Sequence, residues 1–153
     1  MAAWATGSPP SSPTSEDGEA LWFSGMVVTI KAADEQTGGW FSRTERFAPR
    51  GVATPLHVHP EDDESFYAIV GELTFYLEER PTHTGVGWLV RSRPWKELCT
   101  PSGWAHRNRA VSRPQHDRFI RALAEPAQAR TLPRGAPTDP RQVTVPKTMS
   151  FGT

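Results

Sequence analysis

Two histidines one residue apart, His57 and His59, followed five positions later by Glu64, are the residues of this chain whose types and spacing could hold a metal ion. Successive side chains of an extended segment alternate between faces, so His57 and His59 share one, and both imidazoles can reach a single point. Glu64 opens the next apolar run, Glu64-Ser-Phe-Tyr-Ala-Ile-Val70, and can return a hard oxygen donor to that point. Two nitrogens and one oxygen suit Fe, Mn, Ni, Co or Zn and leave coordination positions open, as oxygenase sites do. Glu61, Asp62 and Asp63 read as a solvated turn, and Glu64 is set apart from them by its spacing.

The elements that must carry these residues are strands. From Leu21 to Arg80 the chain runs through the β-branched and aromatic stretches LWFSGMVVTIKA, WFSRTERFA, ESFYAIV and ELTFYLEE. Gly38-Gly39, Pro49 to Gly51 and Gly71 punctuate them at the spacing of an all-β sandwich or barrel. In ELTFYLEE, Leu73, Phe75 and Leu77 alternate with Thr74, Tyr76 and Glu78, which predicts one apolar face and one more polar face. Pro114 starts the stretch PQHDRFIRALAE, whose Phe119, Ile120 and Leu123 fall at helical spacing, predicting a short helix near 115–125.

A chain of 153 residues with 37% hydrophobic content supports one domain, placed at 21–126. Residues 1–20 are rich in Ser, Pro, Gly and Glu and predict a disordered arm, whereas the Pro-rich tail 127–153 is expected to wrap the surface or reach a neighbouring subunit. Seventeen basic residues balance seventeen acidic ones, so no global field draws the protein to nucleic acid or to an anionic membrane, and a small-molecule partner is favoured. No apolar run approaches the length of a membrane helix, the start of the chain lacks a basic region followed by an apolar one, and Cys99 stands alone. A cytoplasmic location is the expectation, and a homodimer is a second one.

The segment from Gly51 through His57, His59 and Glu64 to Gly71 resembles the first motif of the cupin superfamily: Gly, five residues, His-x-His, three or four residues, Glu, six residues, Gly. The wider context is similar to small bacterial cupins grouped with quercetin 2,3-dioxygenases. That resemblance implies a cupin β-barrel, or jelly roll (double-stranded β-helix), carrying one short C-terminal helix and one divalent transition metal. It also implies a second motif, with a Pro-x-Gly-x-x-His core, which Pro101-Ser-Gly103-Trp-Ala-His106 supplies, so that His106 is the expected fourth ligand. Trp95 stands where that motif has its leading Gly, and Asn108 comes two positions early. His83 and His116 are fallback ligands.

The expected activity is that of a metal-dependent dioxygenase on a small enolic or phenolic substrate, with Glu64 as ligand or as a base accepting a substrate hydroxyl proton. Alternatives are an isomerase, decarboxylase or cyclase using the metal as a Lewis acid, or a non-catalytic binding protein. Phe66, Tyr67, Phe75 and Tyr76 are expected to be core before pocket.

Overall fold

A computed structural model describes residues 17–52, 54, 57–58, 64–77, 80–92, 96–101, 106–112 and 114–135, with the backbone alone at 57, 58, 77, 80, 92, 96–101 and 106. His59, Trp95, Trp104, most of the N-terminal arm and the tail beyond residue 135 lie outside the described residues. The chain forms β1 (Glu19–Phe23), β2 (Met26–Ala32), a 3-10 turn (Asp34–Thr37), β3 (Ser42–Ala48), β4 (His57–Val58), β5 (Glu64–Val70) and β6 (Leu73–Leu77). It continues through β7 (Arg80–Thr84), β8 (Leu89–Ser92), β9 (Lys96–Pro101), β10 (His106–Ser112), the helix α1 (His116–Leu123) and the short β11 (Glu125–Pro126).

These strands make two antiparallel sheets, one in the order β11-β1-β2-β3-β10-β5-β8 and one in the order β4-β9-β6-β7. The all-β jelly roll with one short helix expected from the sequence is the architecture observed. LWFSGMVVTIKA, expected as one strand, is a hairpin. Ser24 and Gly25 both have positive φ, and Phe23 pairs with Met26 across them. Two consecutive positive φ values match the right-handed twist of flanking strands, which is why a Ser-Gly pair reverses the chain here. Gly18 is also obligatory: at φ +106° a Cβ would lie 2.3 Å from the Ile30 carbonyl oxygen.

Two apolar clusters stabilise the fold. Leu21, Met26, Val28, Ile30, Ala33, Ala48, Val52 and Ile120 form the first, so α1 docks by Ile120 against β1 and β3. Phe66, Ala68, Leu73, Phe75, Val90 and Ala110 form the second, between the sheets, with the Phe66 and Phe75 rings 5.1 Å apart. Leu73 and Phe75 are buried as the alternation predicts. Thr74, on the opposite face, is buried as well, its Oγ1 lying 3.0 Å from Nδ1 of His83. The segment after β11 lies along β1 and β2: Arg130 donates from Nη2 to the Gly18 carbonyl at 2.6 Å, and Trp22 Nε1 donates to the Thr131 carbonyl at 2.8 Å. Among the described residues no helix is long and apolar enough to cross a membrane.

Candidate functional site

The inward face of the large sheet carries more polarity than a core strand should. On β3 burial alternates, so Ser42, Thr44, Arg46 and Ala48 face one way and Arg43, Glu45 and Phe47 the other. The register then sets neighbours. Ser42 pairs with Ser112 and Ser112 with Glu64; Thr44 pairs with Ala110 and Ala110 with Phe66; Arg46 pairs with Asn108 and Asn108 with Ala68. Three strands thus bring six polar side chains, all buried, onto a face that also carries Phe66 and Ala110.

Glu64 is the centre of this group and is 2% exposed. Its Oε1 accepts from Arg46 Nη2 at 2.6 Å and from Ser112 Oγ at 3.1 Å. Arg46 Nη2 also lies 3.1 Å from His116 Nε2. A guanidinium has no acceptor, so a neutral imidazole would take that hydrogen bond at Nε2 and carry its proton on Nδ1. His116 Nε2 is 3.5 Å from Glu64 Oε1, within ion-pair reach when the ring is protonated. Arg46 lies over the Phe66 ring at 5.1 Å, and the His116 ring lies 5.9 Å from that of Phe119, so the charged group links the two apolar clusters. Beside it, Ser42 Oγ, Thr44 Oγ1 and Asn108 Oδ1 are buried without a hydrogen-bond partner. Such atoms are costly to leave unmatched, at roughly 1–3 kcal/mol each, and mark where a water or ligand is to be sought.

The residues predicted from sequence are placed as follows. Glu64 begins β5, buried and facing the interior. His57 lies on β4 in the small sheet, its backbone paired with Glu97 of β9. His106 begins β10 in the large sheet, opposite Ala48, at the end of the strand remote from Ser112 and Glu64. His83 is exposed and bound to Thr74, whereas His116 stands beside Glu64. Arg46 and Ser112 are the neighbours of Glu64 that the sequence did not announce. Only the strand register, with separations of 18 and 48 residues for the two hydrogen bonds, reveals them.

Glu64 fits a divalent cation. Metal-bound carboxylates are themselves held by outer hydrogen bonds, and Arg46 and Ser112 supply these to Oε1. A second acidic group lies outside the barrel, where Asp34, Glu35 and Asp117 place one oxygen each within 4.8 Å of one another. Arg118 pairs with Asp34 at 3.0 Å, and Arg121 pairs with Asp117 at 2.9 Å and with Glu35 at 3.3 Å. These arginines account for the cluster as an ion-pair network tying α1 to the 3-10 turn. The hydrogen bond from Glu35, followed by the Arg118 guanidinium, holds the Asp34 carboxyl below the usual carboxylate range.

No protein-family model matches this chain, and no curated protein matches it by sequence. Solved structures do match by shape. A predicted oxalate decarboxylase from Thermotoga maritima superposes with a TM-score of 0.63 at 15% identity, over 67% of this chain and 98% of its own. Ectoine synthase from P. lautus gives 0.60 at 14% identity, over 80% and 90%. An RmlC-like cupin from Shewanella frigidimarina gives 0.60 at 10% identity, over 72% and 97%. The fold is therefore that of the cupins. Within that class the neighbours bear the names of different enzymes, so the shape defines a cupin barrel and leaves the reaction to the residues inside it.

Proposed function

We infer that the protein is a metal-dependent cupin enzyme, a dioxygenase acting on a small enolic or phenolic substrate, with the metal held by His57, His59 and Glu64. The observation that carries this reading is the polar interior: a buried Arg46–Glu64 pair at 2.6 Å flanked by the unmatched Ser42, Thr44 and Asn108. A barrel built only for stability would fill that face with hydrocarbon. The metal, when bound, supplies a Lewis acid with open positions for substrate oxygens. Arg46 and Ser112 orient Glu64. Ser42 and Thr44 offer hydroxyls, and Asn108 an amide oxygen, to the hydroxyl and carbonyl groups of a small oxygenated ligand. The dioxygenase assignment itself leans on the resemblance of the Gly51–Gly71 segment to quercetinase-like cupins.

A second reading is a Lewis-acid enzyme with no redox step, such as an isomerase, decarboxylase or cyclase. It is favoured by the same ion pair. Glu64 Oε1 already takes a guanidinium and a hydroxyl, which holds that oxygen in place instead of leaving it to collect a substrate proton. Oxygen uptake separates the two. Protein loaded in turn with Fe(II), Mn(II) or Ni(II) and given a panel of flavonols and small enediols is expected to consume O2 with one of them. Turnover without O2 uptake selects the second reading, and full metal loading with no turnover of any substrate removes both.

A further inference from the structure

The outward face of the large sheet carries a charge that the chain as a whole, with its acidic and basic residues in balance, does not. Side chains alternate along β3, β10, β5 and β8, and the register sets the outward ones in rows. In one row Arg43 pairs with Val111, Val111 with Ser65 and Ser65 with Arg91. In the next, Glu45 pairs with Arg109, Arg109 with Tyr67 and Tyr67 with Leu89. Phe47 and Arg107 pair in a third, with the Arg107 guanidinium 5.7 Å from the Phe47 ring. These rows set four arginines against one carboxylate. Glu45 is shared between two of them, Oε1 lying 3.7 Å from Arg107 Nε and Oε2 3.4 Å from Arg109 Nε, so the face stays cationic. Beside the arginines the same face is apolar: Leu89 and Trp88 are 67% and 59% exposed, and Tyr67 and Val111 are exposed as well. Single exposed apolar side chains are ordinary, but a group of them in adjoining rows marks a contact surface.

We propose that this face docks an acidic segment of a partner protein, with carboxylates on Arg43, Arg107 and Arg109 and apolar side chains on Tyr67 and Leu89. Charge complementarity selects the occupant. A second copy of the chain would bring four more arginines and one carboxylate against the same face, and like charges in apposition are unfavourable. Nucleic acid would satisfy the arginines and leave Leu89 and Val111 without a partner, since phosphates and sugars gain nothing from aliphatic surface. A peptide offers both chemistries at the spacing the sheet sets. Neighbouring strands lie about 4.8 Å apart, so Leu89 and Arg109, two strands apart, are separated by about 10 Å, the reach of about three extended residues. The segment therefore has its apolar and acidic residues within one short stretch. Ser65 and Tyr67 point away from the buried Glu64, Phe66 and Ala68, so the face is independent of the metal reading.

The test is fluorescence anisotropy of a labelled peptide, Asp-Glu-Asp-Glu-Ser-Leu-Phe-Leu, titrated with the full chain at low salt. The wild type is expected to bind it saturably, and to release it as salt screens the arginines. The same peptide with Lys at each acidic position is expected not to bind. Arg43→Glu and Arg109→Glu are each expected to weaken binding by about 3–10-fold, the scale of an exposed ion pair lost and reversed. Leu89→Ser is expected to weaken it at all salt concentrations, because its contribution is apolar. Equal affinity for the acidic and the Lys peptide, or no saturation by the acidic one, overturns the proposal. Unchanged affinity in both arginine variants also overturns it, by placing the peptide elsewhere. A deoxythymidine oligonucleotide, or vesicles of phosphatidylcholine and phosphatidylserine, bound more tightly than the peptide and weakened by Arg109→Glu would give the face to nucleic acid or to a membrane instead. A dimer seen by light scattering and lost in Leu89→Ser would give it to a second copy. Should Arg109→Glu fail to fold by circular dichroism, Arg109→Gln decides: wild-type affinity there overturns the role of that arginine and the proposal with it.

Discussion

At the scale of single residues, one buried ion pair and three unmatched polar atoms mark the barrel interior among the described residues. Removing the cation of a buried pair leaves the carboxylate stranded, at a cost of about 3–5 kcal/mol. Arg46→Met is accordingly expected to lower unfolding free energy by that amount in urea titrations, because Glu64 is 2% exposed and loses its guanidinium. Replacing Glu64 at the same time should recover part of the loss, and a double-mutant cycle would measure how much. Thr44 behaves in the opposite sense. Its Oγ1 is buried without a partner, so Thr44→Val is expected to raise stability by about 1 kcal/mol while weakening any ligand that uses the hydroxyl. A Thr44→Val protein of unchanged or lower melting temperature would show that the hydroxyl is already satisfied.

At the scale of elements, the helix is held by apolar contacts through Ile120 and Phe119 and by a charge network. Ile120 is 1% exposed in the first cluster, and Ile120→Ala is expected to cost about 2–5 kcal/mol by thermal unfolding. The charge network makes the same joint sensitive to acid. Asp34 has its carboxyl held below the usual range, chiefly by the hydrogen bond from Glu35. A depressed folded-state value means that the stabilisation is fully present above the unfolded value, near pH ~4, and is lost as pH falls further through the folded value. Melting temperature measured from pH 6 down to pH 2 should therefore fall more steeply in the wild type than in Asp34→Asn. Parallel profiles would show that the pairing of α1 with the 3-10 turn contributes nothing to acid stability.

How far the chain could be read from its residues follows the range of each interaction. The metal-type spacing of His57, His59 and Glu64, the half-period of β6 and the helix that became α1 are local, and a local pattern is visible in a string of residues. Arg46 and Ser112 meet Glu64 only because β3, β10 and β5 adopt one register, and register depends on which strands become neighbours; His116 joins them from the start of α1. β9 is the instructive case. Lys96-Glu-Leu-Cys-Thr-Pro101 has little alternation and ends in proline, yet it is a strand because β4 and β6 flank it and supply its ladder. Pro101 consequently ends that strand instead of preceding it, and His106 begins β10 in the other sheet.

At the scale of the whole molecule, the residues just before β1 and just after β11 are fastened together. Arg130 spans from the Gly18 carbonyl to the Thr29 hydroxyl, and Ala127 donates its backbone N–H to the Ala20 carbonyl at 3.0 Å. β11 and this segment lie on the outer side of β1, the strand that would otherwise terminate the large sheet. Cutting the chain after Ala124 removes them. The row of amide and carbonyl groups along β1 is then open to a strand from another molecule. The shortened protein is expected to aggregate in proportion to its concentration, seen by light scattering, before its barrel loses circular dichroism. The Arg130 clasp thus guards solubility as much as stability: it keeps a sheet edge from being copied.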